Sequence, residues 1–221
     1  QLKSLKCYDY DLIQMINPNQ FVSLQFLIIF KYATNVDPEL IIDFILRIPQ
    51  LKSCQIKNSQ SHGRIPIIPL NYDRNTENLL STLEYFDMES KSPLSFVNFY
   101  SNILRYTPNI QYFNGFVTHR RIHSKIRYEP IDNLTHLSTL ILRSDSIEFE
   151  QLHLLSQSTQ NLRKLQLDCL TASSDRSFLN NNNWIQCLSS WKYLRYLKIY
   201  ISKQNIMLVI IIFNIFVKHF H

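Results

Sequence analysis

A six-residue motif with apolar residues at its first, fourth and sixth positions recurs eight times along this 221-residue chain, with Gly115 at the sixth position of one copy. The copies are LKSLKC from Leu2, LQFLII from Leu24, LKSCQI from Leu51, LSTLEY from Leu80, IQYFNG from Ile110, LSTLIL from Leu137, LRKLQL from Leu162 and LRYLKI from Leu194. Successive copies begin 22 to 32 residues apart, and self-similarity at such a period is typical of repeat architectures. One amphipathic helix or strand would not reproduce the motif at these distances. The chain is therefore predicted to be a row of stacked repeats.

Three of the intervals between motifs carry apolar residues at a helical period and predict helices that end shortly before the next motif. In VDPELIIDFILRIPQ, Asp37 is the expected N-cap, Pro38 lies in the first turn and the helix stops at Pro49. PLSFVNFYSNILRYTPN stops similarly at Pro108, and SIEFEQLHLLSQSTQN ends in a polar exit. The predicted unit is a helix, a short exit and an LxxLxL strand. Residues 57–78 depart from it, because their prolines predict a long loop instead of a helix.

Stacking follows from the physics of such a unit, which cannot bury its apolar helix and strand faces alone. The predicted fold is an α/β solenoid, an irregular arc of about eight strand-plus-helix repeats with the parallel sheet on its concave face. This repeat domain is expected to span residues 1–203.

Residues 204–221 form a separate apolar tail in this prediction. Residues 206–217 are apolar except for Asn214, but this stretch is shorter than the ~17 to 25 residues with which a helix crosses a bilayer. A membrane span is therefore not favoured. The alternatives are a last helix or strand that caps the arc, or a terminus that differs from the one the native message encodes.

The segments FILRIPQLKSCQI and LLSQSTQNLRKLQLDC resemble the degenerate leucine-rich repeats that follow the F-box in F-box/LRR proteins. In that family, a three-helix F-box docks on the adaptor of an SCF ubiquitin ligase while the repeat arc holds the substrate. DPELIIDFILRIPQL is similar to the opening of an F-box, but it lies between two repeats and lacks the usual basic-Cys-Trp continuation. The resemblance implies a substrate-binding region that works in the cytoplasm or nucleus. It makes the SCF adaptor a partner only if an F-box precedes Gln1.

The partner protein is expected on the concave face, where strand residues that alternate with the buried leucines point outward. Many of these positions carry aromatic or charged side chains, which protein-binding hot spots favour. An alternative for aromatics such as Phe26 is packing between neighbouring strands. The predicted binding residues are Lys6, Tyr8, Phe30, Lys57, Phe86, Tyr112, Asn114, Phe116, Arg143, Lys164, Gln166, Asp168, Tyr196, Lys198 and Tyr200.

Composition argues against several enzyme classes. With only two glycines, Gly63 and Gly115, the chain has no Gly-rich loop to cradle a phosphate. Its four cysteines form no CxxC pair, and no HExxH or GxSxG motif occurs, so we expect no metal, no cofactor and no catalytic residue. His119 and His123 are spaced for a shared metal on a helix, but no further ligand completes a set.

The formal net charge of +6 comes from scattered residues, which indicates a solubility feature more than a nucleic-acid interface. The densest basic stretch, residues 119–127, is interpreted as a solvated loop between repeats. Two alternatives to the ligase subunit stay open. One is a stand-alone intracellular scaffold or inhibitor with the same fold, and the other is a recognition protein tethered to a membrane by the apolar tail.

Overall fold

The computed structural model describes residues 2–8, 17–30, 38–57, 80–89, 94–118, 130–131, 134–169, 178, 180–203 and 206–213. Residues 58–78 of the predicted long loop lie outside the described residues. So does the basic stretch 119–127, which includes His119 and His123.

The described chain contains ten strands and three α-helices. The strands are β1 (Ser4–Cys7), β2 (Phe26–Ile29), β3 (Ser53–Ile56), β4 (Tyr85–Met88), β5 (Leu94–Ser95), β6 (Tyr112–Thr118), β7 (Thr139–Ser144), β8 (Lys164–Cys169), β9 (Tyr196–Lys203) and β10 (Ile206–Phe213). The helices are α1 (Pro38–Leu46), α2 (Phe149–Ser158) and α3 (Asn181–Ser190), together with a π-helix (Asn98–Leu104) and a 3₁₀ turn (Pro18–Gln20).

All ten strands belong to one sheet, in the order β1-β2-β3-β4-β6-β7-β8-β9-β10 with the short β5 also paired to β6. The pairs from β1 to β9 are parallel, and only β10 runs antiparallel, to β9. The order does not close into a barrel. The predicted α/β class with a parallel sheet is therefore confirmed.

One backbone contact repeats at the start of nearly every strand. The carbonyl of Gln25, which follows the motif residue Leu24, accepts N–H groups from both Lys52 (2.9 Å) and Ser53 (3.0 Å) of the next repeat. These two hydrogen bonds to one carbonyl set each strand in register with its neighbour. The accepting carbonyls belong to Lys3, Gln25, Lys52, Glu84, Gln111, Ser138 and Arg163.

The core lies on one side of this sheet and follows the motif. Leu140, Leu165 and Leu197 are consecutive partners across β7, β8 and β9, and all are buried. The buried side chains of the helices belong to the same apolar cluster. The helices therefore cover one face of the sheet, and the motif leucines are the surface on which they pack.

The fourth motif begins three residues later than predicted. Leu80, its predicted first residue, is 60% exposed, whereas Leu83 is fully buried. The N–H groups of Glu84 and Tyr85 bond to the carbonyl of Lys52, as the shared register demands of the residues after a motif leucine. LSTLEY and LEYFDM both satisfy the apolar pattern. Only the pairing with β3 selects the second, LEYFDM.

The predicted helices are present, with different details. The first, α1, ends at Leu46, before Pro49, and its expected cap Asp37 lies outside the described residues. The second contains the π-helix Asn98–Leu104 within a helical run that ends before Pro108. The third, α2, begins with a reciprocal capping box between Glu148 and Gln151.

Helix α3 is absent from the prediction, because NNNWIQCLSS offers little helical apolar periodicity. Its first turn is stabilised by the side chain of Asn180, which accepts the backbone N–H of Asn182 at 2.9 Å. The helix packs against α2. Tertiary contact therefore supplies what the local pattern lacks.

Buried hydroxyl groups tie successive units together where helices end. Thr159 Oγ1 donates to the carbonyl of Leu155 at 2.7 Å and accepts the indole N–H of Trp191, from the following unit, at 3.0 Å. Nearby, the backbone N–H of Ile131 donates to Tyr100 Oη at 3.1 Å and to Ser158 Oγ at 3.0 Å. These bonds satisfy polar groups that would otherwise be buried without partners.

The sheet continues beyond residue 203, the predicted end of the repeat domain, because β10 pairs along its whole length with β9. Residues 214–221 lie outside the described residues. Every helix in the described ranges is too short or too polar to cross a lipid bilayer.

The corrected fourth motif gives a stability test. We expect Leu83→Ala to lower the free energy of unfolding by about 2 to 5 kcal/mol, because it leaves a cavity in the core. Leu80→Ala removes an exposed side chain and is expected to change it by less than about 0.5 kcal/mol. Urea denaturation of both variants measures the difference. Equal losses of unfolding free energy in the two variants would contradict the assignment of Leu83 as the first residue of this motif.

The contact between Thr159 and Trp191 gives a second test. Thr159→Val keeps the side-chain shape but leaves the buried indole N–H without an acceptor, so we expect a loss of about 1 to 3 kcal/mol in unfolding free energy. Thr135→Val, at an exposed threonine, is the matched control. Thermal denaturation measures the stability of both variants. If both melted at the temperature of the wild type, the result would contradict the stabilising role of this hydrogen bond.

Candidate functional site

The second face of the sheet presents the residues that alternate with the buried leucines, and we call it the open face. These side chains are half-buried or exposed, since the helices pack on the other side. Parallel pairing aligns them in three rows across the strands. The first row contains Ser4, Phe26, Ser53, Tyr85, Tyr112, Thr139, Lys164 and Tyr196. The second contains Lys6, Ile28, Gln55, Asp87, Asn114, Ile141, Gln166 and Lys198, and the third includes Phe116, Arg143, Asp168 and Tyr200.

One predicted binding residue is misplaced, because Phe86 is buried with 1% exposure and packs against Phe113 in the core. The three-residue shift of its motif explains the error and puts Tyr85 and Asp87 on the open face instead. The other predicted residues lie on the open face or at the strand ends beside it, exposed or half-buried.

The centre of the open face is a polar and aromatic cluster. The rings of Tyr85 and Tyr112 are stacked, with centroids 4.3 Å apart and planes 7° apart. Asp87 accepts the side-chain amide of Asn114 at 2.8 Å through Oδ1 and the hydroxyl of Tyr85 at 3.3 Å through Oδ2. Burial, reinforced by the charge of Asp87, raises the pKa of Tyr112 to about 12. Both tyrosines are therefore neutral hydrogen-bonding groups at physiological pH.

Arg143 joins this cluster from β7. Its Nη2 donates to the backbone carbonyl of Met88 at 2.6 Å, so the side chain crosses over β6 to reach β4. Three polar atoms here are buried without a hydrogen-bond partner: Asn114 Oδ1, Arg143 Nε and Asp168 Oδ1. A donor and two acceptors therefore remain unsatisfied in one part of the face, which is costly unless another group pairs with them.

Toward β9 the open face becomes basic and aromatic. Lys164 Nζ lies 5.3 Å from the centroid of the Tyr196 ring, and Lys198 Nζ lies 4.6 Å from that of Tyr200. Both distances are within the range of cation–π attraction. On β8, opposite Lys198 and Tyr200, Gln166 donates its amide N–H to Asp168 at 3.1 Å.

Around β2 the open face is apolar, with Phe26 and Ile28 on the strand. Tyr8 and Phe30, which follow β1 and β2, stack with ring centroids 4.8 Å apart, and Tyr8 is 69% exposed. Phe26 is 48% exposed, so it does not pack fully between strands. The open face therefore has an apolar part at β2 and a basic part at β8 and β9.

A thiol and an imidazole meet away from the open face, between α2 and α3. Cys187 Sγ lies 3.8 Å from His153 Nδ1, and Gln157 Nε2 lies 3.1 Å from His153 Nε2. Burial raises the pKa of the Cys187 thiol to about 11, so this thiol stays protonated at neutral pH and is a poor nucleophile. Apolar periodicity does not predict this pair, because it does not predict α3. Within the described ranges, no three His, Cys, Asp or Glu side chains gather into a metal-binding group.

A shallow polar groove of about 520 Å³ lies where β6 to β9 begin. The motif pattern did not point to it, because its lining comes from the turns between helices and strands. It is lined by Gln111, Thr135, His136, Ser138, Asn161, Arg163 and Tyr193.

Compared with protein-family models, curated proteins and solved structures, the chain matches none of them.

The buried cysteines predict a loss of stability at alkaline pH. Burial, with a smaller contribution from the charge of Asp168, raises the pKa of Cys169 to about 12, and burial raises that of Cys187 to about 11, both from an ordinary value of 9.0. Above pH 9 these thiols ionise in the unfolded chain while they stay protonated in the folded one. Unfolding then releases protons, so stability falls as pH rises, by up to about 1.4 kcal/mol per pH unit for each thiol.

Urea unfolding under reducing conditions at pH 8, 9 and 10 measures this fall, and Cys169→Ala is expected to make it shallower. An unchanged pH dependence in this variant would contradict the assignment of the fall to Cys169.

Proposed function

We propose that this chain is a non-enzymatic protein-recognition module of the leucine-rich repeat type, which holds a partner protein on its open face. The observation that carries the proposal is a sheet covered by helices on one side, with aromatic, amide and charged side chains aligned in rows on the other. Aromatic residues and arginine are the types enriched where protein interfaces derive most of their affinity.

The size of the open face supports a protein partner. Eight strands from β1 to β9, leaving out the short β5, span roughly 34 Å at about 4.8 Å per strand. Three rows of side chains add a width of roughly 13 Å at about 6.6 Å between alternate residues. Together these dimensions give roughly 440 Å², which is broad for a small metabolite and is about half of the roughly 800 Å² that one protein contributes to a typical interface.

The half-buried side chains of Asn114, Arg143 and Asp168 support a polar contact at its centre. The stacked Tyr85 and Tyr112 beside them form a rigid surface that loses little conformational entropy on binding.

More specifically, we propose that this chain is the substrate-binding repeat region of an F-box/LRR subunit of an SCF-type ubiquitin ligase, in the cytoplasm or nucleus. This step rests on the resemblance of its repeats to that family. An F-box encoded upstream of Gln1 in the native transcript, and co-purification of the SCF adaptor with that longer protein, would support it. Without an F-box, a stand-alone repeat scaffold is left.

Partner capture tests the open face. The full chain, immobilised, is exposed to cell extract alongside Tyr112→Ser and Tyr196→Ser, which each remove one aromatic surface without a buried cavity. We expect a specific partner to be retained by the wild type and reduced by about tenfold or more with these variants, because hot-spot aromatics contribute about 1 to 4 kcal/mol each.

Ile185→Ser is the matched control, since Ile185 is exposed on α3 and belongs to the helical layer. Circular dichroism of each variant checks that the fold is kept. A partner lost with Ile185→Ser and retained with both tyrosine variants would move the binding surface to the helices.

A further inference from the structure

The part of the open face formed by β8 and β9 is basic. In residues 160–169 and 180–200 the only acidic residue is Asp168, whereas the basic residues are Arg163, Lys164, Lys192, Arg195 and Lys198. The strand β4 and its flanks differ, because they carry Glu84, Asp87 and Glu89. The two parts of one sheet therefore present different charge to a partner.

Strand pairing brings the basic and aromatic groups together. Lys164 lies opposite Tyr196, and Lys198 lies opposite Gln166, in the register of β8 and β9. Arg163 and Arg195 precede the same two strands, where the backbone N–H of Arg195 bonds to the carbonyl of Arg163 at 2.8 Å. We call Arg163, Lys164, Arg195, Tyr196, Lys198 and Tyr200 the basic surface.

The charges of the basic surface are not neutralised by the described residues around them. Lys164 and Lys198 contact tyrosine rings, and none of the four basic residues forms an ion pair among the described ranges. A cation–π contact orients an ammonium group yet leaves most of its positive charge available to an anion. The rings also supply apolar area beside the charge.

We propose that the basic surface binds an acidic segment of the partner protein, with Glu or Asp side chains at alternate positions of an extended chain. The inference rests on the proposed function and deepens it by naming the chemistry of the partner. Lys164 and Lys198 are one strand and two residues apart, a separation of about 8 Å, and alternate side chains of an extended segment are about 7 Å apart. Long lysine side chains accommodate the difference.

Asp168 limits how far the acidic segment extends across the open face. It lies in the third row, opposite Tyr200 on β9 and Arg143 on β7, and its Oδ1 has no partner. A carboxylate brought beside it would be repelled. The acidic segment therefore runs over the first two rows and keeps away from the third.

Fluorescence anisotropy tests the proposal with the full chain and a labelled peptide of alternating Glu and Ala. We expect binding at low salt, a loss of affinity as salt rises, and an affinity about tenfold weaker, or about 1.4 kcal/mol, for Lys198→Glu. Lys198→Arg is expected to retain affinity. Arg105→Glu makes the same charge change at an exposed residue of the helical layer, and we expect less than about a twofold effect.

Absence of peptide binding, or equal losses with Lys198→Glu and Arg105→Glu, would overturn the acidic-segment proposal. So would tighter binding of single-stranded oligothymidine that Lys198→Glu abolishes, because it would assign the basic surface to nucleic acid. In either case, the capture experiment with Tyr112→Ser and Ile185→Ser still tests independently whether the open face binds a partner protein. A partner whose capture needs Tyr112 and tolerates Lys198→Glu would keep the proposed function without this contact.

Discussion

The structure depends on one backbone interaction, the carbonyl after each motif leucine that accepts two N–H groups from the next repeat. The carbonyl of Glu84, for example, receives the N–H groups of Gln111 and Tyr112 at 2.7 and 3.2 Å. A parallel strand that slipped by one residue would turn every core side chain to the opposite face. This contact, made again at Ser138 and Arg163, keeps the leucines on one side and the binding side chains on the other.

The same register creates the open face as a consequence of core packing. Once Leu140, Leu165 and Leu197 are aligned under the helices, the residues between them must align in rows on the second face. Those rows are free of core constraints. They can therefore differ from strand to strand, from the apolar Phe26 to Asp87 and then to Lys198, while the core stays the same.

Some of this architecture could be predicted from the sequence and some could not. The repeated motif predicted the parallel sheet, and helical periodicity predicted α2, because both signals are local. The register of the fourth repeat was ambiguous, since Leu80 and Leu83 fit the same pattern and only the pairing with β3 separates them. For the same reason Phe86 was expected on the surface, and Tyr85 and Asp87 were missed.

The sequence by itself determined the repeat, its approximate period, the apolar positions and most residues of the open face. These follow from periodicity, because a period of two in a strand fixes which side chains share a face. Tertiary structure alone decided the register at Leu83, the formation of α3 and the stacking of Tyr85 on Tyr112. It also brought Arg143 to Met88 across β6, since contacts between residues far apart in the chain depend on strand pairing that no local pattern records.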